Sequence, residues 1–103
     1  MKYDEKLEQF VGGDVYIYWE DIAGYSDAWM ERNDILDMRP HSCVSIGRVL
    51  EMTEEYITLV ATWDKANTIV SDVNCIPLGC ITDIKFIRGT LSSKDTCDQS
   101  KQN

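Results

Sequence analysis

Four cysteines (Cys43, Cys75, Cys80, Cys97) and one histidine, His41, are the residues of this 103-residue chain with most chemistry to offer. Cys75 and Cys80 form a C-x4-C pair, which is half of a zinc-binding pattern. The second half is absent, because His41 lies near Cys43 rather than in another closely spaced pair. Three thiols and one imidazole could meet on zinc only if the fold gathered them. The simpler expectation is that Cys75 and Cys80 flank a tight turn as small, buried strand residues. Without an export signal the thiols are expected to stay reduced.

Carboxylates offer the next chemistry. Glu20-Asp21 and Glu54-Glu55 are adjacent pairs, but neighbours on a strand point to opposite faces and cannot share one reacting atom. A nucleophile would have only His41 as its base, and His41 follows Pro40 in a turn-like segment. Neither G-x-x-x-x-G-K-[ST] nor G-x-G-x-x-G is present. The expectation is a protein that is not an enzyme and needs no cofactor and no metal.

The elements that would carry these residues are mostly strands. Apolar alternation marks residues 14–22, 43–52, 55–63, 68–76 and 80–87, joined in the later part by Thr53-Glu54, residues 64–67 and Pro77-Leu78-Gly79. In the first strand Val15, Ile17 and Trp19 share one face, and Tyr16, Tyr18 and Glu20 the other. In the second, Val44, Ile46, Leu50 and Met52 share a parity interrupted by Arg48. Gly47 sits at its centre, where a strand without a side chain can bend or bulge. The fifth carries Ile81 and Ile87 on one face and Ile84 and Phe86 on the other, so a neighbouring subunit is expected to cover its outside.

Before the strands, Tyr3, Leu7, Phe10 and Val11 line one face of a short helix ended by Gly12-Gly13. Residues 23–42 make a long excursion in which Asn33 is expected to cap a turn or two of helix before Pro40. Trp29 and Met30 are expected to cover one end of the core. Residues 1–89 read as one domain, and 90–103 as a polar, disordered tail.

Net charge is −8. Residues 13–39 hold Asp14, Glu20, Asp21, Asp27, Glu31, Asp34 and Asp37 against Arg32 and Arg39. Such a surface repels phosphate unless a local basic or stacking site intervenes. No apolar run approaches the ~20 residues that cross a bilayer, so a cytoplasmic protein without membrane contact is expected.

Two segments carry a resemblance. The run Gly47-Arg48-Val49-Leu50-Glu51-Met52-Thr53-Glu54-Glu55-Tyr56-Ile57-Thr58-Leu59 is similar to the first motif of the Sm-like (Sm/LSm/Hfq) family, with its bend-making glycine, acidic turn and apolar third strand. Cys75-Ile76-Pro77-Leu78-Gly79-Cys80-Ile81-Thr82-Asp83-Ile84 resembles the second. The order of helix then five strands, and the spacing of Trp29, Pro40, Cys43 and Gly47, resemble small phage-encoded members.

The resemblance implies a mainly all-β fold: a five-stranded, strongly bent antiparallel SH3-like or Sm-like barrel with an N-terminal helix and a helical excursion. It implies a cyclic homo-oligomer closed by pairing of the fourth and fifth strands, with Val70, Asp72, Ile84, Lys85 and Phe86 at the edge. It also implies RNA as a partner, with Tyr56 stacking, Arg48 and Lys85 on phosphate, and Thr53 and Glu54 near a pore.

The sequence departs from the family where bases are read. The acidic turn has Thr53-Glu54 and then Tyr56-Ile57 in place of Asp followed by Asn, and the second turn has no basic residue. Ile87-Arg88-Gly89 matches the Ile-Arg-Gly of eukaryotic Sm proteins but falls one strand late. The alternative expectation is an acidic structural or protein-interaction module that keeps the fold, does not bind RNA and takes a basic protein partner.

Overall fold

The computed structural model describes residues 1–24, 26 and 29–88. The tail expected over 90–103 therefore lies outside the described residues. Five antiparallel strands form one sheet: β1 (Asp14–Asp21), β2 (His41–Met52), β3 (Tyr56–Trp63), β4 (Val70–Pro77) and β5 (Ile81–Phe86), in the order β4-β3-β2-β1-β5. All five expected strands exist, with ends displaced by at most a few residues. No ladder joins β4 to β5 among the described residues, so the sheet is open rather than closed into a barrel.

The bend comes from β2. Its first part pairs with β1, from Asp21↔His41 to Asp14↔Arg48, and its last part pairs with β3, from Arg48↔Val60 to Met52↔Ile57. Gly47 stands at the changeover. A Cβ there would lie 2.6 Å from the Val60 carbonyl oxygen, a backbone atom, so only glycine admits this approach. Past that contact β3 leaves β2 and continues with β4 alone.

Two bulges decide which apolar residues face inward. The β2–β3 register shifts between Val49 and Glu51, which leaves Leu50 as the extra residue. Val49 and Met52 are therefore buried, while Val44, Ile46 and Leu50, which share Met52's parity in the sequence, are exposed. The β1–β5 register shifts between Tyr18 and Trp19, leaving Thr82 extra, and its hydroxyl donates to the Tyr18 carbonyl at 3.1 Å. Ile81 and Ile84 then both face the core, opposite Trp19 and Ile17. The outer apolar face expected on β5, and the subunit expected to cover it, lose that support.

The core is Val15, Ile17, Val49, Met52, Ile57, Leu59, Ile76, Leu78, Ile81 and Ile84, closed at one side by Phe10. The N-terminal segment that carries Phe10 is a 3-10 helix, Glu5–Phe10, rather than an α-helix. The Asp4 side chain accepts from the Lys6 amide at its start, and Gly12 turns the chain at φ +84° just after it. Phe10 stacks at 4.7 Å on Phe86, and Tyr3 and Leu7 pack beside it. A second 3-10 turn, Leu78–Cys80, links β4 to β5 and buries Leu78.

Other expectations are corrected. The excursion holds one helical turn, α1 (Arg32–Ile35), with Glu31 rather than Asn33 at its N-cap and no side-chain cap bond. Trp29 covers nothing, being 93% exposed, and Met30 is exposed too. Cys75 is exposed on β4 and Cys80 half-buried in the 3-10 turn, because the buried position between them is taken by Ile76 and Leu78. Asp72, in the middle of β4, has φ 54°, a left-handed conformation inside an edge strand.

Candidate functional site

The five residues expected at an RNA site do not converge. Thr53 builds the β2–β3 turn: its hydroxyl accepts from the Glu55 and Tyr56 amides at 3.1 and 3.0 Å. Glu54 is exposed at that turn, and Tyr56 opens β3 half-buried, opposite Pro77. Arg48 pairs with Val60, which places it about 13 Å along β3 from Tyr56 at the usual rise per strand residue. Lys85 lies two strands from β2, opposite Tyr16 on β1.

Arg48 is already engaged. Its guanidinium meets the Asp14 carboxylate through two bonds, Nε to Oδ1 at 2.7 Å and Nη2 to Oδ2 at 3.1 Å. The same guanidinium lies 3.9 Å from the centre of the Trp63 ring. Asp14, Arg48 and Trp63 thus tie β1, β2 and β3 together at the point where β2 changes partners. Lys85 is engaged more loosely, 3.8 Å from Asp83 and 5.4 Å above the Tyr18 ring.

The turns that would surround a pore are joined and acidic. The Leu78 amide donates to the Glu55 carbonyl at 2.8 Å, bringing the two turns together. Beside them Tyr3 donates to Glu8 at 2.8 Å. That hydrogen bond, then burial and the charges of Glu8, Glu5 and Glu54, push the Tyr3 phenol up from 10.0 to about 12. Glu5, Glu8 and Glu54 gather negative charge here, which repels phosphate.

At the expected oligomer edge, Ile84 is buried and Phe86 is packed on Phe10, so their side chains belong to the core. Val70 is exposed at the start of β4. Asp72 accepts from the Thr62 hydroxyl at 2.6 Å, a cross-strand bond that ties its side chain to β3. The backbone edges of β4 and β5 nonetheless have no partner strand among the described residues.

A surface that was not singled out in the sequence is the outer face of β1 and β2. Tyr16 opposes Ile46 and Tyr18 opposes Val44, with the two tyrosine rings 6.5 Å apart. Val44 and Ile46 are each 55% exposed. Inward from them β2 carries only Cys43, Ser45 and Gly47, and Ser45 accepts the Trp19 indole N–H at 2.9 Å. The parity of β1 was the available signal: once Val15, Ile17 and Trp19 face in, pairing turns Val44 and Ile46 out.

Among the described residues no three of His, Cys, Asp and Glu are placed to hold a metal, and no charged or polar side chain is buried. No helix among them is long and apolar enough to cross a membrane. No family model, curated protein or solved structure matches this chain.

Proposed function

We propose that this protein is a non-enzymatic interaction module whose acidic surface takes a basic partner protein. The observation that carries the reading is the outer face on which exposed Val44 and Ile46 lie beside half-buried Tyr18 and Tyr16, on a chain of net charge −8. Contiguous exposed apolar side chains on a small domain mark binding surfaces more often than reaction sites. The acidic excess selects against phosphate and for Lys- and Arg-bearing surfaces. Arg48 and Lys85, the strand cations an RNA would need, are each beside a carboxylate.

The Sm-like ring remains the second reading, supported by the sheet order, which puts β4 and β5 at opposite ends with open edges. Pairing β4 of one copy with β5 of the next would complete the barrel wall across subunits. Solution mass separates the two. A cyclic oligomer supports the ring, whereas a monomer removes it.

Binding decides the partner class. Labelled oligo-lysine peptide and labelled oligo-U are titrated at low salt. The peptide is expected to bind with an affinity that falls as salt rises, and oligo-U not to bind. Binding of oligo-U that Tyr56→Ala weakens would overturn the interaction-module reading.

A further inference from the structure

Between Gly47 and the start of β2 the sheet has an edge in its middle. Residues 41–47 pair with β1 on one side and, among the described residues, with nothing on the other. The approach of Gly47 to Val60 sends β3 away, and residues beyond Val60 pair only with β4. An opening is left where the next ladder would have been.

The backbone groups that face this opening can be assigned. Val49 donates to the Gly13 carbonyl at 3.0 Å and accepts from the Gly12 amide at 2.8 Å, so both its bonds point to the β1 side. Alternation along an antiparallel pair then turns Gly47, Ser45 and Cys43 toward β1, and Ile46, Val44 and Ser42 away from it. Arg48, of the second set, makes the first pair with β3. Ile46, Val44 and Ser42 repeat its orientation with no strand opposite.

The surroundings specify an occupant. A strand added here would set alternate side chains directly beside Val44 and Ile46, extending the apolar row that Tyr16 and Tyr18 begin. That row runs on to an open hollow of about 270 Å³, lined by Asp14, Ile46, Gly47, Ala61, Trp63 and Ile87, while the added strand's intervening side chains would turn to the face of Cys43 and Ser45. At the His41 end the edge meets Glu20 and Asp21, opposite Ser42 and His41. The excursion that feeds this end adds Glu31, Asp34 and Asp37 against Arg32 and Arg39. Arg39 is turned onto the carbonyls of Leu36 and Met38.

We propose that the edge of β2 from Ser42 to Ile46 receives an extended segment of a basic partner protein, apolar at alternate positions, with Lys or Arg toward the His41 end. Main-chain bonds to Ile46 and Val44 give the register, and the acids at the far end give the direction of the charge. The proposal rests on the interaction-module reading and locates its site. A second copy of this chain is the poorer occupant, because it would bring its own acidic excess against Glu20 and Asp21.

The probe is a short acetylated peptide alternating valine with lysine, in three forms: unmodified, and N-methylated at alternate amides in either phase. Amide chemical shifts of the full chain report where it binds. The unmodified peptide is expected to move Ser42, Val44 and Ile46, and Ile46→Lys to weaken binding. One methylation phase is expected to bind as the unmodified form does. The other is expected to lose at least about tenfold, since it deletes the donors facing Val44 and Ile46. Val73→Lys on β4 serves as the folded control and is expected to leave binding unchanged.

Shifts confined to β4 or β5, or equal loss in both phases, would overturn the β2-edge site while leaving the interaction-module reading intact. Absence of binding by oligo-lysine and by all three peptides would overturn both.

Discussion

Gly47 and Val60 approach so closely that a Cβ on Gly47 would lie 2.6 Å from the Val60 carbonyl oxygen and 3.0 Å from Leu59 Cγ. The nearest obstacle is backbone, so it cannot rotate away. Gly47→Ala is expected to destabilise the fold by roughly 2–3 kcal/mol through overpacking at the bend. Denaturant unfolding checks it; a change within a few tenths of a kcal/mol would show that β2 and β3 separate there at no cost.

Arg48 couples to Trp63 as well as to Asp14. A double-mutant cycle of Arg48→Met with Trp63→Leu is expected to show a coupling of about 0.5–1 kcal/mol, the range of a partly exposed cation–π contact. Added salt is expected to weaken the Asp14 arm more than the Trp63 arm. Zero coupling would mean that the ring merely lies near the guanidinium.

Tyr3 is expected to titrate late. Its phenol is pushed up to about 12 because it donates to the Glu8 carboxylate. A group whose folded pKa is raised stabilises the fold fully below its unfolded value, here 10.0, and that contribution disappears as pH rises toward 12. Ultraviolet titration should show one phenolate forming late, and Glu8→Gln should bring it back toward the ordinary range.

Asp64 organises the end of the β3–β4 hairpin. Its Oδ1 accepts from the Thr68 and Ile69 amides at 2.7 and 2.8 Å, and its Oδ2 from the Thr68 hydroxyl at 2.9 Å. The Ile69 amide first, then the two Thr68 donors, hold the carboxyl below its ordinary 3.8. Its contribution is therefore present above that value and lost as pH falls through the lowered one. Asp64→Ala is expected to speed hydrogen exchange at Thr68 and Ile69 while the exchange of Ile57 and Leu59 stays slow.

The strands were legible because Gly12-Gly13, Thr53-Glu54, residues 64–67 and Pro77-Leu78-Gly79 punctuate a period-two pattern. The faces of β1 were legible too, since β1 matches Val15, Ile17 and Trp19 to the core without interruption on its own strand. The faces of β2 and β5 were not. Leu50 and Thr82 are bulged without a glycine to announce them, and one extra residue reverses every later side chain. Arg48 read as a spare cation because its partner Asp14 lies 34 residues upstream, a pairing fixed only by strand register. Trp29 read as a lid because aromatic side chains usually find cover; the excursion gives it none.

The left-handed turn at Asp72 has a consequence for behaviour at high concentration. β4 is an outermost strand, with exposed Val70 and Val73 on either side of Asp72. A flat strand of that composition would template the docking of further chains, one on the next, into fibrils. At φ 54° the row of amides and carbonyls is broken halfway, and a charge held to Thr62 sits at the break. Each half of β4 then offers an incoming strand only a short edge. Asp72→Val, which restores an apolar run on the edge, is expected to lower the concentration at which the chain forms fibrils, as light scattering would show.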